Sequence, residues 1–430
     1  MKLFEDAQEI IRYAIASVQP DAAVRRALEN LPAYRGRLIL IAAGKAAWQM
    51  AQAACGVLGD RIDNGLVITK YAHAKGSLGK LKIMEAGHPV PDENSFLGTQ
   101  IALDLVRDLG ADDLVLFLLS GGGSALFEKP LVDGTELQDI TTQLLASGAD
   151  IVEMNTVRKR LSAVKGGRFA QVCAPARVYS IVLSDILGDP LDMIASGPAY
   201  PDHSTCAQAL EIVRNRGLRL SDAAMRLLSQ ETPKELGNVE TCISGSVRQL
   251  CAAAAEKCRT LGYEAHILTD ALDCEARDAG AFLASIARTH AQDDAPSAWI
   301  AGGETIVHLR GNGKGGRNQE LALAAAAGME GIDDVLLFSV GSDGTDGPTD
   351  AAGGYVTGAA CEALHEKGMN LSALLDDNDA FHALAACGQE MRIDAENGSV
   401  DSRGGLIVTG PTGTNVNDVA VLLIGYDSRE

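Results

Sequence analysis

Apolar residues at Leu3, Ala7, Ile10, Ile11, Ala14, Ile15 and Val18 recur at helical spacing, so residues 3–31 predict an amphipathic opening helix. Short β-branched or leucine-rich runs then alternate with helical stretches. Residues 38–42 lead into a helix beginning near Lys45, residues 114–119 into a glycine turn, and residues 178–183 end at Ser184 and Asp185. Such alternation predicts βα units and a largely parallel sheet covered on both faces, with ligands beyond the carboxyl ends of the strands. The polar stretch 229–241, with Pro233 and Gly237, reads as a linker.

Beyond the linker the pattern restarts. It predicts helices over 247–261, 275–290 and 318–327, strands at 265–268 and 335–340, a strand pair over 298–310 around Gly302 and Gly303, and a final strand pair at 406–408 and 419–424. The expectation is two α/β domains, 1–238 and a smaller 239–430, with a cleft between them.

Charge narrows the function. The 430 residues carry 57 acids against 37 Lys and Arg, a net charge of −20, which disfavours nucleic acid and anionic membranes as partners. The nine scattered cysteines form no CxxC and no zinc-type cluster. No segment reads as a signal peptide, and the longest apolar runs are strand-sized, far below the ~18 residues of a membrane span. A reduced, cytoplasmic compartment is expected.

An acidic protein that binds an anion must gather its cations locally. No Asp or Glu occurs between Met154 and Ser184, a window holding Arg158, Lys159, Arg160, Lys165, Arg168 and Arg177. Thr305 to Gln319 is again free of acids and holds Arg310, Lys314 and Arg317. The two windows suggest an anion held between the domains, against the plainer reading of solvated helix faces paired with distant acids.

Glycine turns add candidates. Ser120, Gly121, Gly122, Gly123 and Ser124 follow a buried-type strand, where glycines let backbone N–H groups face phosphate oxygens. Gly44 and Lys45 occupy a similar position. The stretch 311–316 literally contains GxGxxG, but the acid that a dinucleotide site needs at the end of the following strand is missing, and no P-loop motif is present. Asp185, Asp189, Asp343 and Asp346 lie among glycines at strand ends. That suits magnesium beside substrate phosphates, and equally suits Asx turns. Glu304 is a further candidate, and of the histidines His88 is the one expected nearest a site, with a structural role favoured for it.

At these residues the sequence resembles a known family. SGGGSAL (120–126), VRKRLSAVKGG (157–167), SDILGDPLDMIASGP (184–198), GGETIVHLRGNGKGGRNQE (302–320), SDGTDGPTDAAGG (342–353) and TGPTGTNVND (409–418) resemble the glycerate 2-kinase family. The resemblance implies a Rossmann-like N-terminal domain and a C-terminal MOFRL domain. It implies phosphoryl transfer from ATP, with magnesium, to the 2-hydroxyl of D-glycerate, with Lys45 and Arg317 as the catalytic pair. Two positions depart from the pattern: Arg160 where histidine is usual, and Ala301 where serine commonly precedes GGET.

Combined with the residue chemistry, the expected site draws on Gly44 and on Ser120 to Ser124 for phosphate. Arg158, Arg160 or Arg168 would take the substrate carboxylate, with Lys165, Glu304 and Asn318 as further binding residues. Asp185 or Asp189 would hold magnesium or take the hydroxyl proton, and Asp343 is a further metal candidate. Some members are labelled hydroxypyruvate reductase, so a nicotinamide-dependent reductase is the alternative. Homo-oligomer formation is compatible with either.

Overall fold

The computed structural model describes residues 2–393 and 403–425. Its described residues form two compact units, one from 20–184 and 189–244, the other from 2–19, 185–188, 245–393 and 403–425.

The first unit holds a six-stranded sheet: β1 (Leu38–Ala43), β2 (Asn64–Lys70), β3 (Leu81–Ala86), β4 (Leu114–Leu119), β5 (Arg177–Leu183) and β6 (Val239–Gly245). The strand order is β3-β2-β1-β4-β5-β6. The pairings β1–β2, β1–β4, β2–β3 and β4–β5 are parallel. Every residue of β1 and β4 is buried, as expected of central strands covered on both faces. This is the doubly wound, Rossmann-like order, and its direction reverses between β1 and β4. The crevice at their carboxyl ends is therefore the topological switch point.

The second unit holds β7 (Glu264–Leu272), β8 (Ser297–Gly303), β9 (Val335–Gly341), β10 (Gly353–Thr357), β11 (Met391–Arg392), β12 (Gly404–Val408) and β13 (Asp418–Ile424), in the order β11-β12-β10-β9-β13-β8-β7. This sheet is mixed rather than largely parallel, because β13 runs antiparallel to both β8 and β9, and β10 antiparallel to β9 and β12. The two expected strand pairs do not form. Residues 304–316 beyond β8 are irregular, and β12 and β13 lie apart with β10 and β9 between them. Local hydrophobicity located these strands but not their partners, which are set by long-range register.

Two boundaries also differ from expectation. The opening pattern forms two helices, Lys2–Ser17 and Pro20–Leu28, broken where Pro20 starts the second. The first packs in the second unit, with Ile10, Ile11 and Ala14 in one buried cluster with Val421 and Leu423. The break expected after residue 238 would remove β6, which completes the first sheet. Its half-exposed edge composition had placed its start inside the polar linker.

The first cationic window is largely internal. Lys159 is buried between Asp192 and Asp202, each at 3.2 Å. Arg160 is fully buried, bonding Ser204 and reaching Asp202 at 3.7 Å and Glu231 at 3.3 Å. Arg168 donates to the carbonyls of Lys159, Arg160 and Ser162. These groups hold the helix Ile151–Arg160 against the loop that follows β5. Removing one partner of a buried network strands the others in a low dielectric. Asp202→Ala should therefore cost about 3–5 kcal/mol, read by urea unfolding, against under ~1 kcal/mol for exposed pairs such as Arg107–Asp104.

In the second unit, the helix Arg317–Met329 starts from Gly316. The Asp346 carboxylate accepts from the backbone N–H of Asn318 (3.2 Å) and Gln319 (2.9 Å). It packs so closely that a Cβ on Gly316 would lie 2.3 Å from its carboxyl carbon. Burial pushes the Asp346 carboxyl up to about 7, outweighing those two amides. Because the folded value exceeds the ordinary 3.8, the folded chain binds the extra proton, and this group's contribution to stability declines as pH rises from about 4 to about 7. Asp346→Asn should flatten that decline, measured as the difference in unfolding free energy between pH 5 and pH 7.5 in variant and parent.

Candidate functional site

At the switch point the turns after β1 and β4 lock together. Gly44 has φ +128°, and a Cβ there would lie 2.2 Å from the Ser120 hydroxyl oxygen. Only glycine serves, on both counts. The Lys45 amide donates to the Gly121 carbonyl (2.9 Å), and the Ala46 amide to the Ser120 hydroxyl (3.1 Å). Gly44 and the buried Ser120 thus shape the site rather than face a ligand.

Among the described residues, the backbone N–H groups of Gly121, Gly122 and Ser124 donate to no main-chain acceptor. They sit where β4 passes into the short helix Gly123–Leu126, and successive free amides form an anion-binding concavity. Lys45 and His88 flank it, since a Cβ on Gly122 would lie 2.9 Å from the His88 ring and 3.1 Å from Lys45 Cγ. Lys45 is half-buried and has no acidic partner among the described residues. Its ammonium is available to a ligand.

Of the window's cations near this turn, Arg158 alone remains open to a ligand. Its guanidinium lies 3.4 Å from the Ser124 carbonyl, and its Nε is buried without a partner. Lys165, expected to bind substrate, is fully buried instead. It lies 2.9 Å from the Glu128 carboxylate and donates to the Ser124 and Phe127 carbonyls (2.7 and 3.3 Å). Burial lowers its pKa, with Glu128 opposing. It props the glycine turn from beneath. Arg160 and Arg168, committed as described above, are not free to bind a carboxylate.

The loop from Gly188 to Gly197 lies over this turn. Asp189, Ala195 and Ser196 have positive φ of 51°, 50° and 62°, a concentration of backbone strain in non-glycine residues. A Cβ on Gly123 would lie 2.7 Å from that of Ala195. Asp189 has a buried carboxylate oxygen with no hydrogen-bond partner. Asp185 belongs to the other compact unit.

The second unit carries its own cluster at the carboxyl ends of β8 and β9. Arg317, at the start of its helix, bonds Asp418 through Nε (2.5 Å) and Nη2 (3.2 Å), and Glu304 through Nη1 (2.6 Å). Burial lowers the Arg317 pKa, but Asp418 and Glu304 outweigh it and hold the value above the ordinary one. The guanidinium stays charged and fixed in direction. Asn318, expected to bind ligand, is instead buried, accepting from Ser339 (2.6 Å).

Asp343 accepts from the Thr345 amide (3.0 Å) and hydroxyl (3.2 Å), an Asx turn. Its Oδ1 and that of Asp418 each lie 3.4 Å from the point a Gly341 Cβ would occupy. Both Asp418 oxygens are already held by Arg317, so Asp343 is the carboxylate of this pair left for a hard cation. Among the described residues, no three His, Cys, Asp or Glu side chains cluster as a complete metal site.

The GxGxxG stretch is used structurally. The Gly311 amide donates to the Asn378 side chain (3.1 Å), that of Asn312 to the Asp377 carboxylate (3.0 Å), and that of Gly313 to the Asp377 carbonyl (2.7 Å). The Lys314 amide donates to the Asp379 carboxylate (3.1 Å). Amides so engaged do not cradle a pyrophosphate, which removes the nucleotide reading of this motif.

Sequence reasoning did not single out Asp418, Asn155 or Ser196. Asp418 had one available signal, a lone charge opening the otherwise apolar β13. Its register places it opposite Gly303 on β8 and Gly341 on β9. The other two become visible only through contacts distant in sequence.

Comparison with known proteins agrees with this geometry. A family model described as "Domain of unknown function (DUF4147)" matches residues 6–229, and the MOFRL family model matches residues 297–418. The chain is 50% identical over 424 residues to the D-glycerate 2-kinase of Thermotoga maritima, covering 97% of each. It is 38% identical to a putative hydroxypyruvate reductase of Agrobacterium vitis, covering 97% of this chain and 94% of the other. The crystal structure of glycerate kinase from Thermotoga maritima superposes with a TM-score of 0.90, covering 99% of this chain and all of that one. By sequence, domain order and fold, this chain belongs to the glycerate 2-kinase family.

Proposed function

We propose that this chain transfers the terminal phosphoryl group of ATP to the 2-hydroxyl of D-glycerate, giving 2-phosphoglycerate and ADP. The observation that carries the reading is the set of free amides at Gly121, Gly122 and Ser124 beside the unpaired Lys45, at the switch point of a doubly wound sheet. Phosphoryl transfer is chiefly positioning and neutralisation of spread negative charge. The amides and Lys45 bind phosphate oxygens. Arg158 offers a planar fork to the glycerate carboxylate. Arg317, held in one direction by Asp418 and Glu304, supplies a rigid positive charge. Asp189, with its orphaned oxygen, takes the proton of the attacking hydroxyl.

Magnesium, which takes oxygen donors and would neutralise phosphate charge, has Asp343 as its candidate carboxylate in the second unit, both Asp418 oxygens being held by Arg317. Occupation of the GxGxxG amides argues against the reductase alternative. Nine unpaired cysteines and the lack, among the described residues, of any helix long and apolar enough to cross a membrane are compatible with the cytoplasm.

Incubation with D-glycerate, ATP and magnesium should yield ADP, and the product should feed enolase directly without a mutase. NADH oxidation with hydroxypyruvate, in the absence of ADP formation from glycerate, would reverse the assignment. Lys45→Ala should lower kcat by at least about 100-fold with unfolding unchanged. Arg158→Ala should mainly raise KM for glycerate, by about 10-fold or more. A near-normal rate in Lys45→Ala protein would remove that residue from the mechanism.

A further inference from the structure

We infer that Asn155 and Ser196 form a positioning relay that turns the Ser124 hydroxyl into an obligate acceptor, so that Ser124 reads the 3-hydroxyl of the three-carbon substrate. The inference rests on the kinase reading above and assigns a specificity role within that site.

The argument is a count of protons. Ser196 Oγ donates to Asn155 Oδ1 at 2.7 Å. A serine hydroxyl has one hydrogen, so Ser196 can only accept in its 3.2 Å contact with Ser124 Oγ. Ser124 must therefore donate inward, leaving its lone pairs for whatever lies in front of the turn.

The Asn155 orientation is fixed by its other neighbour. Its Nδ2 lies 3.6 Å from the Met193 sulfur, a weak acceptor that has no hydrogen to give. A flipped amide would set oxygen against sulfur and turn its NH2 on Ser196, so the direction of the relay rests on the Asn155–Met193 contact. Asn155 and Ser196 are both buried, which shields the relay from competing water, while Ser124 is half-buried at the mouth of the turn.

The backbone supports the same reading. The chain adopts positive φ at both Ala195 and Ser196 and presses Ala195 on Gly123. This backbone places Ser196 beside Ser124. A side chain merely filling space would not require it.

The consequence for recognition is specific. Phosphate and carboxylate oxygens bring no hydrogen, so the lone pairs of Ser124 repel them. Those groups go to the neighbouring amides and to Arg158. A substrate hydroxyl brings the missing hydrogen. With the 2-hydroxyl as the reacting group, the 3-hydroxyl is the one left to be recognised.

The test compares D-glycerate with D-lactate, which lacks that hydroxyl. It uses the full chain as parent, Ser196→Ala, Asn155→Leu and Asn155→Asp, with folding checked by thermal melting. The readout is the ratio of kcat/KM values, or of glycerate KM to the D-lactate inhibition constant where D-lactate is not turned over. The parent should prefer D-glycerate, and Ser196→Ala and Asn155→Leu should shrink that preference about 10-fold through the KM for glycerate, leaving the KM for ATP within about 2-fold. Asn155→Asp keeps an acceptor toward Ser196 and should retain the preference. Equal losses on both substrates in Ser196→Ala, a parent without preference, or an Asn155→Asp protein that behaves like Asn155→Leu would each overturn the relay. Ser196→Ala alone decides if Asn155→Leu does not fold. A parent inactive on D-glycerate would instead defeat the kinase reading.

Discussion

The interlock of two turns is the constraint from which the candidate site of the first unit follows. Because Gly44 has no side chain, the turn after β1 can lie against Ser120. The Ser120 hydroxyl then satisfies the Ala46 amide, and Gly121 turns its carbonyl to Lys45. With that carbonyl taken by Lys45, the Gly121 and Gly122 amides are left without a main-chain acceptor among the described residues. Any side chain at Gly44 would push the turns apart and dissolve the concavity. The concavity proposed to bind phosphate is thus a by-product of two strand ends fitting together.

Charge tells a similar story of geometry deciding role. The acid-free window 154–184 looks from the sequence like a patch of surface cations. In the fold, Lys159, Arg160 and Lys165 turn inward to acids far away in sequence, at Asp202, Glu231 and Glu128, and Arg168 turns inward to the nearby carbonyls of Lys159, Arg160 and Ser162. Arg158 sits one helical position away and is left with an idle Nε. Helical periodicity, not composition, separates it from its neighbours.

The legible part of the molecule was whatever depends on local pattern. Buried strands such as β1, β4 and β9 announce themselves as apolar runs, and the glycine turn at Ser120 is visible as chemistry because glycine and serine exceed what turning requires. Pairing was not legible: nothing in residues 406–408 and 419–424 says that β10 and β9 lie between them. The same holds for the site. Lys45 and Arg317 stand in motifs, whereas Asp418 gains its role from register with Gly303 and Gly341. Ser196 gains its role from a strained loop. Long-range contacts are the information that a one-dimensional reading lacks.

The placement of the first helix has a consequence for biosynthesis. Residues 2–17 are made before either sheet is complete, yet their buried face is covered by the helix Val247–Thr260 and by strands made from residues 335–341 and 418–424. The intervening sheet can close as soon as residue 245 has emerged, but this helix waits for segments beyond that point, with Ile10 and Ile11 uncovered until they are made. A nascent chain of this kind offers an apolar leading end to chaperones for most of translation. A fragment cut after residue 238 would retain that end for good while lacking its last strand.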